Sequence, residues 1–154
     1  MLAEPNYAGN IIVILANLPD FLRIPVLKKR MMEFFSMTEL EKKEIINNAL
    51  EAGPTIPFSN FAKLFKTWLE ILTTMSEEQR KGLFSGYINE ISRSPQKLIV
   101  FNLDGILEIF LTLDEEKKNI LSQTIKNTIN ELDEDGKRKL MIIVPDNAKK
   151  YLKF

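Results

Sequence analysis

Thr38, Ser76 and Asp114 recur at equal intervals, and each opens a version of one phrase: MTELEKKEI, MSEEQRKGL and LDEEKKNIL. A hydrophobic residue precedes each of the three: Met37, Met75 and Leu113. Thr, Ser and Asp are good helix N-caps, because a side-chain oxygen accepts one of the backbone N–H groups that a helix start leaves orphaned. Thr38 with Glu41, and Ser76 with Gln79, have the spacing of a capping box. Asp114 is followed three places on by Lys117 and lacks the box, though Asp alone still caps. Glu39, Glu77 and Glu115 then fall in the first turn, where negative charge suits the helix dipole. Lys42, Arg80 and Lys118 follow, and Ile45, Leu83 and Leu121 begin the apolar face.

A second series is interleaved with the first. Pro19, Pro57 and Pro95 recur at the same interval, each half a period before a cap. Proline is tolerated at the start of a helix, where its missing N–H costs nothing. The unit is therefore a helix pair, and a chain that repeats it three times is constrained to stack helices. Strand-type alternation persists nowhere. The pattern predicts helices over 5–17, 19–35, 38–52, 57–73, 76–92, 95–111 and 114–131, with one or two more after 133. In EAGPTIP, Gly53 and Pro54 supply the stop signal for the third.

The fold class that follows is all-α, built from tandem hairpins of about 38 residues. One domain spans 1–154, with units near 19–56, 57–94 and 95–132 and terminal elements 1–18 and 133–154. In period and helix count, residues 19–131 resemble a short α-solenoid of the HEAT or armadillo kind. A compact helical-repeat bundle is the competing arrangement. A single hairpin cannot bury its apolar face alone, whereas stacked neighbours can.

Composition narrows the function classes. The 21 basic and 21 acidic side chains cancel, so the strongly basic footprint of a nucleic-acid binder is missing. The chain has no Cys and no His. That removes thiolate nucleophiles, Cys–zinc sites, the commonest general base and the commonest metal ligand. No catalytic residue, metal site or cofactor is expected. The apolar run Ile11–Ala16 is too short to span a bilayer. A cytoplasmic protein that binds neither membrane nor nucleic acid is the expectation.

Several features have both a binding and a packing reading. Phe58, Phe61, Phe65, Trp68 and Leu72 recur at steps of three and four, as a groove for a ligand or, more simply, as one core-facing stripe. Gly82 and Gly86 form G-x-x-x-G, which points to close helix approach or a local groove. Phe61, Phe65, Trp68, Gly82 and Gly86 are the candidate groove. Asp104 and Glu108 are paired carboxylates, with an exposed ridge as the plainer account. The series Lys42, Arg80 and Lys118 reads as a solvated face, since each has a Glu three positions earlier. LIVFNLDGILEIFLTL, from Leu98, reads as one helix contacted on several sides. DEDG at 133–136 reads as a helix start or turn, since the spacing of a calcium loop is absent.

Ile11, Ile12, Val13, Ile14 and Leu15 are consecutive apolar residues, so a helix there cannot keep one face polar. Leu140–Val144 has the same character. This makes 11–15 the candidate interaction surface. The expected function is a non-catalytic protein–protein interaction module, a scaffold or adaptor whose partner is another protein or a second copy of the chain. The alternative is a helical container for an apolar small molecule. An open groove or exposed end favours the first, and a cavity of ligand size the second.

Overall fold

The structure, a computed structural model, describes residues 7–151. These residues form ten α-helices and no strand. The helices are α1 (Tyr7–Asn17), α2 (Asp20–Phe34), α3 (Glu39–Ala52), α4 (Phe58–Thr73), α5 (Glu77–Arg93), α6 (Gln96–Ile99), α7 (Leu103–Leu111), α8 (Glu115–Asn130), α9 (Glu134–Ile143) and α10 (Asp146–Tyr151). A single 3-10 turn, Gly53–Thr55, follows α3. Positions 5 and 6 of the first expected helix lie outside the described residues.

The caps form as the side chains dictate. Thr38 Oγ1 accepts from the Glu41 N–H at 3.2 Å and Ser76 Oγ from the Gln79 N–H at 3.1 Å, and both capping boxes are closed. Asp114 Oδ1 accepts from the Lys117 N–H at 2.9 Å. Pro19, Thr38, Pro57, Ser76, Pro95, Asp114 and Asp133 each hold the N-cap position of a helix, so the two interleaved series share one regular spacing. DEDG is thus the start of α9, with Asp133 accepting from the Gly136 N–H at 2.6 Å.

Two arginines staple the junctions between successive helices. Arg23, in the first turn of α2, is buried; its Nε donates to the Leu15 carbonyl at 3.0 Å and its Nη2 to the Leu18 carbonyl. Its Nη1 pairs with Asp20. Arg80 occupies the same place in α5 and reaches the Leu72 and Met75 carbonyls and Glu77. In each staple one carbonyl, Leu15 or Leu72, also accepts the backbone N–H three residues on; the other, Leu18 or Met75, lies just past the helix, and the guanidinium fork reaches both at once. The fully buried Thr124 of α8 joins the Arg80 group, accepting from Nε at 3.2 Å and donating to Glu77 at 2.9 Å.

The series Lys42, Arg80 and Lys118 therefore departs from the solvated face expected of it. Arg80 is buried and the two lysines are partly so. Each lysine still pairs with its Glu, at 3.4 Å for Lys42–Glu39 and 2.6 Å for Lys118–Glu115. Lys42 also lies over the Phe34 ring, 5.4 Å from its centroid.

The main helix contacts join helices that are not consecutive in the chain. α1 lies on α3, α3 on α5 and α5 on α8; α2 lies on α4, and α4 on α7 and α8. α9 packs against α5. The central helices supply the deepest side chains, among them Ile46, Leu72 and Leu121.

The expected single helix over 95–111 is two. α6 is one turn, the chain bends through Val100–Asn102, and Asn102 Oδ1 accepts from the Gly105 N–H at 3.0 Å to start α7. The bend leaves Ile99 and Val100 exposed and turns Phe101 inward, 5.7 Å from Phe61 between ring centroids. Phe101 fits because Gly53 has no side chain; a Cβ there would stand 2.5 Å from its ring. LIVFNLDGILEIFLTL is thus not one helix contacted on all sides.

Candidate ligand-binding cavity

The aromatic stripe of α4 faces inward. Phe61 and Phe65 stack at 5.6 Å, Phe65 and Trp68 at 5.9 Å, and Trp68 meets Tyr87 edge-on at 5.5 Å and Phe84 at 5.9 Å. Offset and edge-on pairs of this kind satisfy the ring quadrupoles. The stripe does not close the interior. It forms one wall of a cavity of about 440 Å³.

Every helix from α1 to α8 contributes to that cavity. The apolar lining includes Ile12, Met31, Leu50, Phe65, Ile88 and Ile125. Polar groups are few. Arg30 and Glu33 are the charged residues on the wall, both about half exposed and paired with each other at 3.3 Å. The remaining polar side-chain atoms are the Tyr87 hydroxyl and the Trp68 indole N–H. Neither makes a hydrogen bond among the described residues, and neither atom is sealed: the buried side-chain polar atom without a partner among these residues is Ser122 Oγ. The Tyr87 phenol lies deep enough that burial pushes its pKa up to about 12. The residue is nonetheless only partly buried, which fits a side chain that opens onto internal space.

The candidate groove residues separate. Phe61, Phe65 and Trp68 come together on the cavity wall; Gly82 and Gly86 do not line it. At Gly86 an added Cβ would lie 2.6 Å from Ile46 Cδ1, so this glycine lets α5 approach α3. At Gly82 the nearest atom, on Phe35, is 3.8 Å away, and no close approach requires the glycine.

The Ile11–Leu15 segment also divides. Ile11, Ile12 and Leu15 face the cavity, while Val13 and Ile14 are exposed. The large apolar exposure at this end of the chain continues on α2, where Phe21 is 74% exposed and Leu22, Ile24 and Val26 are also open. Sequence reasoning placed no exposed patch on α2. Its signal was present in FLRIPV, where apolar residues stand on both sides of Arg23 and cannot all face inward.

Asp104 is exposed on α7 and Glu108 stands one turn further along the same helix. Glu70, one repeat before Glu108, pairs with Lys117 at 3.4 Å. Among the described residues no group of three or more acidic side chains is placed to hold a metal ion. A second, open depression of about 570 Å³ lies at the α1–α2 junction, beside Asn17, Asp20, Asn60 and Lys63. Its buried cation, Arg23, is already engaged by two carbonyls and Asp20. No helix among the described residues is long and apolar enough to cross a membrane. The chain matches no protein-family model, and no curated protein or solved structure matches it.

Proposed function

We propose that this protein is a non-catalytic container for an apolar small molecule, held in the partly open cavity that α1 to α8 line. The supporting observation is that cavity: about 440 Å³, within the roughly 300–1,000 Å³ typical of ligand sites, with apolar walls and few polar groups. Ala49, small and on the wall, provides the test. N-phenyl-1-naphthylamine should bind the wild type with one-to-one stoichiometry and a rise in fluorescence. Ala49→Phe should fill the space and abolish that binding while the melt stays cooperative. Dye binding that survives in the filled, folded variant would place the dye on the surface and remove the container reading.

A second reading is favoured by the exposed apolar side chains of α1 and α2. Here the protein is an interaction module of stacked helix hairpins, solenoid-like, whose outer end meets a second copy or another protein. The alternate packing of α1–α3–α5–α8 and α2–α4–α7 supports such a stack, and Ile14 and Phe21, 59% and 74% exposed, support a sticky end. Light scattering should show a dimer or larger species for the wild type and a monomer for Phe21→Glu. A wild-type monomer across the micromolar range would count against self-association. Ile12→Glu, by contrast, places a charge in the cavity wall and reports on the container.

A further inference from the structure

The chemistry of the cavity wall limits what it holds. Resting on the container reading, we propose that the Tyr87–Trp68 corner is the polar end of the site and that the ligand is a mainly hydrocarbon molecule with one uncharged oxygen acceptor, such as an alcohol, ketone or ester.

Three observations carry this. First, the corner offers donors. The indole N–H is a donor only, the phenol donates one hydrogen, and the two rings are in edge contact at 5.5 Å. Neither group makes a hydrogen bond within the described protein, and neither is sealed from solvent, so an acceptor brought by a ligand takes the place of water there. Second, the wall offers no free cation. Arg30 is neutralised by Glu33 at 3.3 Å, and both are open to water at one edge of the cavity. An ionised carboxylate drawn into the corner would lose its hydration with no opposite charge to replace it. Third, the rest of the lining is aliphatic or aromatic carbon, which suits a hydrocarbon body and leaves a second polar group without a partner. The raised Tyr87 pKa agrees with this: the phenol stays protonated, and so remains a donor, throughout the physiological range.

Trp68 is the chain's single tryptophan and stands in the wall, so its fluorescence reports directly on occupancy. The experiment titrates 1-decanol, 2-decanone, decane and decanoate, delivered from cyclodextrin, into the wild type and Tyr87→Phe. The substitution deletes a hydroxyl with no partner among the described residues, so the variant should fold and melt like the wild type. Expected is a loss of about tenfold in affinity for 1-decanol and 2-decanone in Tyr87→Phe, the worth of one hydrogen bond, with decane unchanged within about twofold. Equal effects on decane and decanol, or no effect on either, would overturn the polar-corner assignment and leave the container standing. Decanoate binding more tightly than 1-decanol to the wild type would overturn the uncharged acceptor. Failure of all four to bind the wild type would remove the container and this inference together.

Discussion

At the scale of single residues, the polar groups that close helix ends make separable contributions to stability. Ser76 makes one neutral capping contact at the surface, and Ser76→Ala should cost about 1 kcal/mol in a denaturant melt. Arg80 serves the Leu72 and Met75 carbonyls, Glu77 and the buried Thr124. Arg80→Met should cost about 3 kcal/mol, because it removes the side-chain donor of the Met75 carbonyl and the ion pair with Glu77 together. Arg80→Lys should recover only part of the loss, since an ammonium is a point charge and cannot reproduce the fork. A cost for Arg80→Met no greater than for Ser76→Ala would show that the staple adds little. Glu77 gives this group a pH dependence. Burial works to raise its pKa, but the hydrogen bonds from Arg80 and Thr124 outweigh that and hold it below its ordinary 4.5. The stabilisation is therefore present above about pH 4.5 and is lost as pH falls through the lowered value. Tyr87 acts at the other end of the scale. Its folded pKa, pushed up from 10 to about 12, means the unfolded chain ionises first as pH rises. Stability from this group is complete below about pH 10 and declines from there toward 12. Absorbance titration of phenolate should show a component near 12 that Tyr87→Phe removes.

At the scale of helices, much was legible in the sequence, because caps and punctuation are local chemistry. Thr38, Ser76 and Asp114 advertise helix starts with their own oxygens, and Pro19 and Pro57 mark starts by lacking a donor. The break in 95–111 was missed for a physical reason. An apolar run from Leu98 outweighs one polar residue in any periodicity argument, yet Asn102 followed by Leu103, Asp104 and Gly105 is itself a cap signal. The arginine staple was also missed. Its two members, Arg23 and Arg80, stand a repeat and a half apart, so comparison at whole repeats pairs neither with the other. The inward aromatic face of α4 was legible; the space in front of it was not, because a void is a property of how neighbouring helices meet. The two glycines of α5 turn that difference into a measurement. Gly82→Ala meets nothing closer than 3.8 Å and should stabilise by about 1 kcal/mol through helix propensity. Gly86→Ala meets the side chain of Ile46, itself 2% exposed with little room to move, and should destabilise by about 1–3 kcal/mol through overpacking. Melts in which both changes have the same sign would contradict the close approach of α5 to α3.

At the scale of the molecule there are two apolar features. One is the partly open cavity lined by α1 to α8 and the other is the exposed patch on α1 and α2. The cavity accounts for Trp68 being half-buried rather than sealed. Trp68→Ala should therefore cost less than the roughly 3–5 kcal/mol usual for a large aromatic in a filled core, and addition of a bound ligand should raise the wild-type midpoint but not that of the Ala49→Phe variant. Filling and emptying one space in this way separates what the cavity contributes to folding from what it contributes to binding. The arginine staple has a consequence of a different kind, in time. The hydrogen bonds of Arg23 reach back no further than Leu15, so the loop they close costs little entropy. The contact of α5 with α3 at Gly86 and Ile46, by comparison, must bring together residues two helices apart. The corner between α1 and α2 should therefore be set while the rest of the chain is still searching. In stopped-flow mixing followed by Trp68 fluorescence, Arg23→Met is expected to slow folding and leave unfolding nearly unchanged, whereas Ile46→Val should mainly speed unfolding. The opposite pattern would mean that the helices dock first and that the corners are tied afterwards.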